Sequence, residues 1–150
     1  MIKNIVIVDI DGTLAMVGDR IKYLQQDKKD WDKFYEACYE DEPINEMVDL
    51  VQRLKYAKYK ILYVTGRRES VRGKTLDWFK DKTNINVDSS DLLMRKDNDY
   101  RHDTIIKPEL IKEKGIDFKQ IAFVLEDRNT VVKMWREFGV KCLQVADGDF

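Results

Sequence analysis

Three short apolar runs in this chain each stop at residues able to do chemistry. Ile2 to Ile10 carries Asp9 near its end and is broken by Asp11-Gly12-Thr13. Lys60 to Thr65 runs into Gly66-Arg67, and Ile121 to Leu125 runs into Glu126-Asp127. In an open parallel α/β sheet, ligands bind beyond the carboxyl ends of the strands. Carboxylates from Asp9, Asp11, Glu126 and Asp127 converging there repel one another and call for a cation. An all-oxygen ligand set suits a hard ion such as Mg2+. His102, the sole histidine, has no partner at metal-ligand spacing, and Cys38 and Cys142 share none, so no softer site competes. Asp9 and Asp11 lie two apart and face the same way if the strand continues through both. An EF-hand is excluded, because that loop wants its glycine at the sixth position and a helix, not a strand, in front.

These tips need a frame to hold them. The β-branched first run suits a central strand buried on both faces, and Val140 to Val145 is a fourth, weaker run. Between the runs lie helical patterns. After Pro43, apolar residues fall at Ile44, Met47, Val48, Val51 and Leu54, with Pro43 placed to start the helix. Val71, Leu76, Trp78 and Phe79 suggest a second helix, and Pro108 to Lys114 a short third closed by Gly115. Val131, Val132, Trp135 and Phe138 give a fourth, closed by Gly139. Strands alternating with helices predict a parallel sheet with helices on both faces. Ala15–Glu42 fits the alternation poorly. Its Trp31, Phe34, Tyr35, Cys38 and Tyr39 read as either a lid over the site or another packed helix.

The 150 residues predict one domain. With 43% hydrophobic and 37% charged residues, a packed core under a heavily charged surface is expected, and disorder is excluded. No apolar run approaches the roughly 20 residues of a membrane span. The first run is cut short by Asp9 and Asp11, unlike a secretory signal. Basic residues number 27 and acidic ones 28, without a long basic tract. That argues against tight nonspecific binding along a nucleic-acid backbone and leaves room for a local basic pocket. The two cysteines read as reduced core thiols, which fits a cytoplasmic setting.

Asp9-Ile10-Asp11-Gly12-Thr13-Leu14 resembles the first motif of the haloacid dehalogenase (HAD) superfamily of aspartate-nucleophile phosphatases. Thr65-Gly66-Arg67 resembles the second motif, Lys107 the third and Glu126-Asp127 the fourth, in the same order and at agreeing spacing. Arg20, Arg95, Arg101, Asp103, Lys107 and the stretch from Val131 through Phe150 are similar to the 3′-phosphatase domain of phage polynucleotide kinase/phosphatase. That similarity spans almost the whole chain, although Ala15–Glu42 reads as longer than its counterpart. No Gly-x-x-x-x-Gly-Lys-Ser/Thr loop is present, so a kinase partner would be a separate protein. The resemblance implies a HAD-like (Rossmannoid) α/β fold, one phosphatase domain over 1–150 with a small lid within 15–42, and a phage-like intracellular setting.

The resemblance also implies roles. Asp9 is the nucleophile, giving an aspartyl-phosphate; Asp11 is the general acid and base; Lys107 neutralises the phosphate oxygens. Mg2+ is held by Asp9, Asp127 and the main-chain oxygen of Asp11, with Glu126 acting through a water. The Thr65 hydroxyl and Gly66 amide hold phosphate oxygens, and Asp103 orients Lys107. Arg20, Arg67, Arg95 and Arg101 are substrate contacts. Arg68 reads as a surface residue, His102 has no assigned role, and Tyr23 and Trp31 read as base-stacking or packing residues. The expected substrate is a nucleic-acid 3′ end or nucleoside 3′-monophosphate. A 5′-nucleotide or other small phosphomonoester is the alternative, and a non-catalytic phosphate-binding module the third reading.

Overall fold

A computed structural model describes residues 2–150. Five parallel strands form the central sheet: β1 (Ile5–Val8), β4 (Lys60–Arg68), β5 (Leu92–Arg95), β6 (Ile121–Glu126) and β7 (Cys142–Gln144), in the order β5-β4-β1-β6-β7. A two-stranded antiparallel ribbon, β2 (Ala15–Met16) with β3 (Glu42–Pro43), stands apart from it. The helices are α1 (Trp31–Glu36), α2 (Asn45–Tyr56), α3 (Arg72–Trp78), α4 (Asp103–Glu113) and α5 (Asn129–Glu137).

All four residues of β1 are buried, as its unbroken apolar run requires. Alternation sends Val6 and Val8 into one core and Ile5 and Ile7 into another. The first core also holds Val48 and Val51 of α2 and Trp78 of α3; the second holds Ile111 of α4 and Val131 and Trp135 of α5. The sheet is therefore covered on both faces, the expected α/β arrangement. The chain builds outward from β1 to β4 and β5, then returns to the other side of β1 for β6 and β7. This reversal opens a crevice at the carboxyl ends of β1, β4 and β6.

Several elements depart from expectation. β5 has no β-branched residue, and this four-residue strand at the sheet's edge was not predicted. Gly66 does not end β4; the strand runs on to Arg68, with a register shift against β5 between Thr65 and Arg68. Pro43 lies in β3, and α2 starts behind Ile44. The helix expected to open at Pro108 begins at Asp103, where the His102 side chain accepts the Thr104 amide. A proline inside this helix forgoes the bond to the carbonyl four residues back, and the helix continues past it to Glu113. Ala15–Glu42 is a closed excursion whose ends, β2 and β3, pair with each other. Between them lie a 3-10 turn (Asp19–Leu24), α1 capped by Asp30, and a second 3-10 turn (Ala37–Glu40). Among the described residues no helix is long and apolar enough to cross a membrane.

Candidate active site

β1 delivers Asp9 to the crevice, where its amide still bonds to the Leu125 carbonyl at 3.0 Å. Oδ2 of Asp9 accepts from the Thr13 hydroxyl at 3.0 Å, and Oδ1 accepts from Lys107 Nζ at 2.8 Å. Lys107 reaches the crevice from α4 and also donates to Glu126 Oε2 at 2.7 Å. The other oxygen of Glu126 accepts the amides of Asp127 and Arg128 at 3.2 and 3.3 Å. Both Glu126 oxygens are thereby engaged, and it braces Lys107 and the β6 tip.

Carboxylate oxygens of Asp9, Glu126 and Asp127 lie within 4.8 Å of one another, and all three residues are buried. Burial, then the neighbouring Glu126, holds the Asp9 carboxyl up at about 7, against the opposing pull of Lys107. Burial and Asp9 push Asp127 up to about 7 as well. Burial opposes the Lys107 charge, but Asp9 and Glu126 overcome it and hold the ammonium well above the ordinary lysine range. One ammonium shared among three acids leaves negative charge uncompensated. This hard-oxygen donor set fits a divalent cation such as Mg2+. Gly12 makes the packing possible. Its φ is +82°, and a Cβ there would lie 2.0 Å from an Asp127 carboxylate oxygen.

Asp11 sits in a different environment. The strand does not continue to it; Ile10 instead accepts the amides of Thr13, Leu14 and Ala15, folding the chain into a turn. Oδ1 of Asp11 accepts from Arg20 Nη2 at 2.8 Å and from Arg67 Nε and Nη2 at 3.0 and 2.7 Å. Burial alone would raise its carboxyl, but Arg67 and then Arg20 hold it below the ordinary range. Asp41 lies behind both arginines. It accepts three bonds from Arg20 at 2.8–3.1 Å and one from Arg67 at 3.4 Å. Its backbone is anchored by the Trp78 indole, which donates to the Asp41 carbonyl at 2.8 Å. Arg67 also donates to Thr75 on α3, and Arg20 lies over the Phe34 ring.

Arg20 and Arg67, expected against the substrate, are thus buried beneath Asp11 and spend their donors on carboxylates. The sequence reading missed Asp41, because the acidic run Glu40-Asp41-Glu42 looks solvated. Its one signal lay elsewhere, in two arginines close to motif residues that need a counter-ion if buried.

A cavity of about 590 Å³ opens above Asp9. Asp9, Asp11, Thr65, Gly66, Lys107, Glu126 and Asp127 contribute to its polar wall, and Met16, Ile21, Leu24 and Phe34 of the 15–42 excursion to an apolar one. Arg95 and Asp103 line it too, paired with each other. Arg95 also donates to the carbonyls of Gly66, Asp99 and Arg101. A Cβ on Gly66 would lie 2.5 Å from Asp103 Oδ1, so this position needs glycine for close approach. Asp103 bonds Arg95 and Arg128 rather than orienting Lys107. Arg101 lies outside this cavity, bonded to Asp99 and Glu109. Tyr23 lines a different depression, whereas Trp31 lines the cavity. Arg128 lines it as well and was missed; it directly follows the Glu126-Asp127 pair, which was the available clue.

The family model for the polynucleotide kinase PNKP phosphatase domain matches residues 3–150. A chain in the structure of the Pnkp1/Rnl/Hen1 complex is 35% identical, with a TM-score of 0.82 over 99% of this chain. A chain of the Pnkp1/Rnl/Hen1 RNA repair complex is 34% identical over 99%, also with a TM-score of 0.82. The present chain spans 48% and 44% of those chains, about half their length. The class C acid phosphatase from Bacillus anthracis shares the fold, with 16% identity and a TM-score of 0.67 over 97% of this chain and 67% of its own.

Proposed function

The chain belongs to the PNKP phosphatase-domain family of HAD-like phosphatases, and from that premise we propose that it is a Mg2+-dependent 3′-phosphomonoesterase of nucleic-acid ends. The observation that carries this reading is Lys107 bridging Asp9 and Glu126 at 2.8 and 2.7 Å, with Asp127 alongside, at the sheet's switch point. Asp9, Asp127 and the main-chain oxygen of Asp11 are the groups that would hold Mg2+. When bound, the ion lowers the repulsion between phosphate and carboxylates and acts as a Lewis acid.

The chain's own residues supply the rest. Asp9 attacks phosphorus through a carboxylate oxygen, a P–O bond forms, and the bond to the sugar oxygen breaks. Lys107 carries a fixed positive charge beside the attacking group, where the phosphoryl charge is redistributed. Asp11 gives a proton to the departing 3′ oxygen and then takes one from the water that hydrolyses the aspartyl-phosphate. Arg20 and Arg67 fix its orientation through Oδ1. They also favour its ionised form, which suits the second half of that role better than the first. Thr65 and Gly66 hold phosphate oxygens. The 15–42 segment serves as a small lid within a single domain, its apolar wall excluding water from the sugar side.

The Pnkp1/Rnl/Hen1 relatives support a nucleic-acid substrate and a setting among end-repair partners. The test is phosphate release from 3′- and 5′-phosphorylated nucleotides and oligonucleotides, with and without Mg2+. Preferential, Mg2+-dependent hydrolysis of 3′-phosphates is expected. Equal turnover of 5′-nucleotides or an aryl phosphate would refute the specificity.

A further inference from the structure

Resting on that reading, we propose that a second cavity beside the catalytic one binds the nucleotide preceding the phosphorylated end. Its phosphodiester sits on Arg68 and Arg128, and its base lies against the rings of Trp31 and Tyr100. This cavity measures about 310 Å³, within the roughly 300–1,000 Å³ of small-ligand pockets. Trp31, Tyr35, Arg95, Asp103 and Arg128 line both cavities, so the two adjoin, and a ligand spanning them would lie in one trough. The monoester must sit deep, against Asp9 and Lys107. The sugar oxygen it leaves behind then faces outward, and any chain attached to that sugar emerges along the trough.

The lining of the outer cavity suits a nucleotide. Four arginines line it, Arg68, Arg95, Arg101 and Arg128, beside Asp99 and Asp103, with Asp32 and Glu109 also paired to them. Two of those arginines are committed, Arg95 to Asp103 and three carbonyls, and Arg101 to Asp99 and Glu109. Arg68 and Arg128 are not. Arg68 pairs through Nη1 alone with Asp32, whose side chain is 86% exposed. The Arg68 side chain is itself only 17% exposed, so its guanidinium is held in the cavity wall while its single carboxylate partner lies in solvent. Arg128 uses Nε on the Phe150 carbonyl and reaches Asp103 only at 3.4 Å, leaving Nη2 free among the described residues. A planar guanidinium with unused donors matches a phosphodiester's paired oxygens.

The rings are arranged for stacking. The Arg68 guanidinium lies 5.0 Å from the Tyr35 ring centroid and 5.8 Å from that of Tyr100. Trp31 stacks on Tyr35 at 5.9 Å. Trp31 is 40% exposed and Tyr100 80%, so both rings are open to a ligand. Aromatic faces beside arginines bind single strands with little sequence preference.

The experiment compares kcat/KM, with Mg2+, for a 3′-phosphorylated dinucleotide, a nucleoside 3′-monophosphate and p-nitrophenyl phosphate. The wild type is expected to prefer the dinucleotide to the monophosphate. Arg68→Ala and Tyr100→Ala should each reduce that preference by about tenfold, chiefly through KM. Persistence of the preference in both variants overturns the outer subsite and leaves the 3′-phosphatase reading standing, as does a wild type that hydrolyses the two 3′-phosphates equally. If neither 3′-phosphate is a better substrate than p-nitrophenyl phosphate, both inferences fall.

Discussion

The carboxylate of Asp9 shares its surroundings with Glu126, Asp127 and one ammonium, Lys107. That of Asp11, two residues on, faces Arg20 and Arg67, which Asp41 braces from behind. Both aspartates are close to β1 and both line one cavity. Yet the first is held up at about 7 and the second is pushed below its ordinary range. On the Asp9 side, charges of one sign are crowded together and wait for a cation. On the Asp11 side, charge is balanced within the protein before any ligand arrives. The first half is built to be completed; the second is built to be rigid.

The largest expected effects fall on the incomplete half. Asp9→Asn should abolish Mg2+-dependent phosphate release, by more than about 10³-fold, because the amide cannot act as nucleophile. Asp9→Glu should lose on the order of 100-fold, since one methylene displaces the attacking oxygen by about 1 Å. Near-normal turnover of either variant would contradict the assignment. Lys107→Ala should lower kcat by about 10²–10³-fold and KM far less, as the ammonium acts on charge that develops in the transition state. A change confined to KM would make it a binding residue only.

The balanced half should respond in stability. Asp41→Ala removes the main counter-ion of Arg20, which is 3% exposed, and one of two for Arg67, which is fully buried. Breaking a buried pair from one side costs about 3–5 kcal/mol. Urea unfolding should show that loss, with activity falling as Asp11 loses its fixed orientation. An unchanged midpoint would mean that water replaces the carboxylate and that the cluster is not rigid.

The two halves were also unequally legible in the sequence. Asp9, Glu126 and Asp127 could be read because strand-end position and residue type coincide there, and the sheet then brings them together. Lys107 came only from the resemblance, since nothing in its own neighbourhood marks it as buried. Arg20 and Arg67 were found but misplaced. A guanidinium near a phosphate site looks like a substrate contact until its counter-ion is known, and Asp41 lies 21 residues from Arg20. β5 escaped because the Leu-Leu-Met-Arg run lacks β-branching and takes its strand form from pairing with β4. Long-range pairing of this kind has no local signature.

The smallest effect separates the halves by sign. In chelator, the folded Asp9 and Asp127 carboxyls titrate at about 7 against 3.8 in the unfolded chain, so the native state binds extra protons between those values. Their contribution to stability is complete below about pH 4 and is lost as the pH rises through 7. Asp11 has the opposite sign: its contribution is present above about pH 4 and disappears as the pH falls through its lowered value. Metal-free protein should therefore melt lower at pH 8 than at pH 6, and Mg2+ should recover the difference. Asp127→Asn removes one of the crowded charges while keeping the side chain's shape. In chelator at pH 8 it should melt about 2–4 °C above the wild type, the shift expected from roughly 1 kcal/mol in a chain of this size, and Mg2+ should no longer raise it. A metal-free variant that melts below the wild type at pH 8 would show that hydrogen bonding by Asp127 outweighs its repulsion with Asp9, and the two halves would then differ in degree rather than in kind.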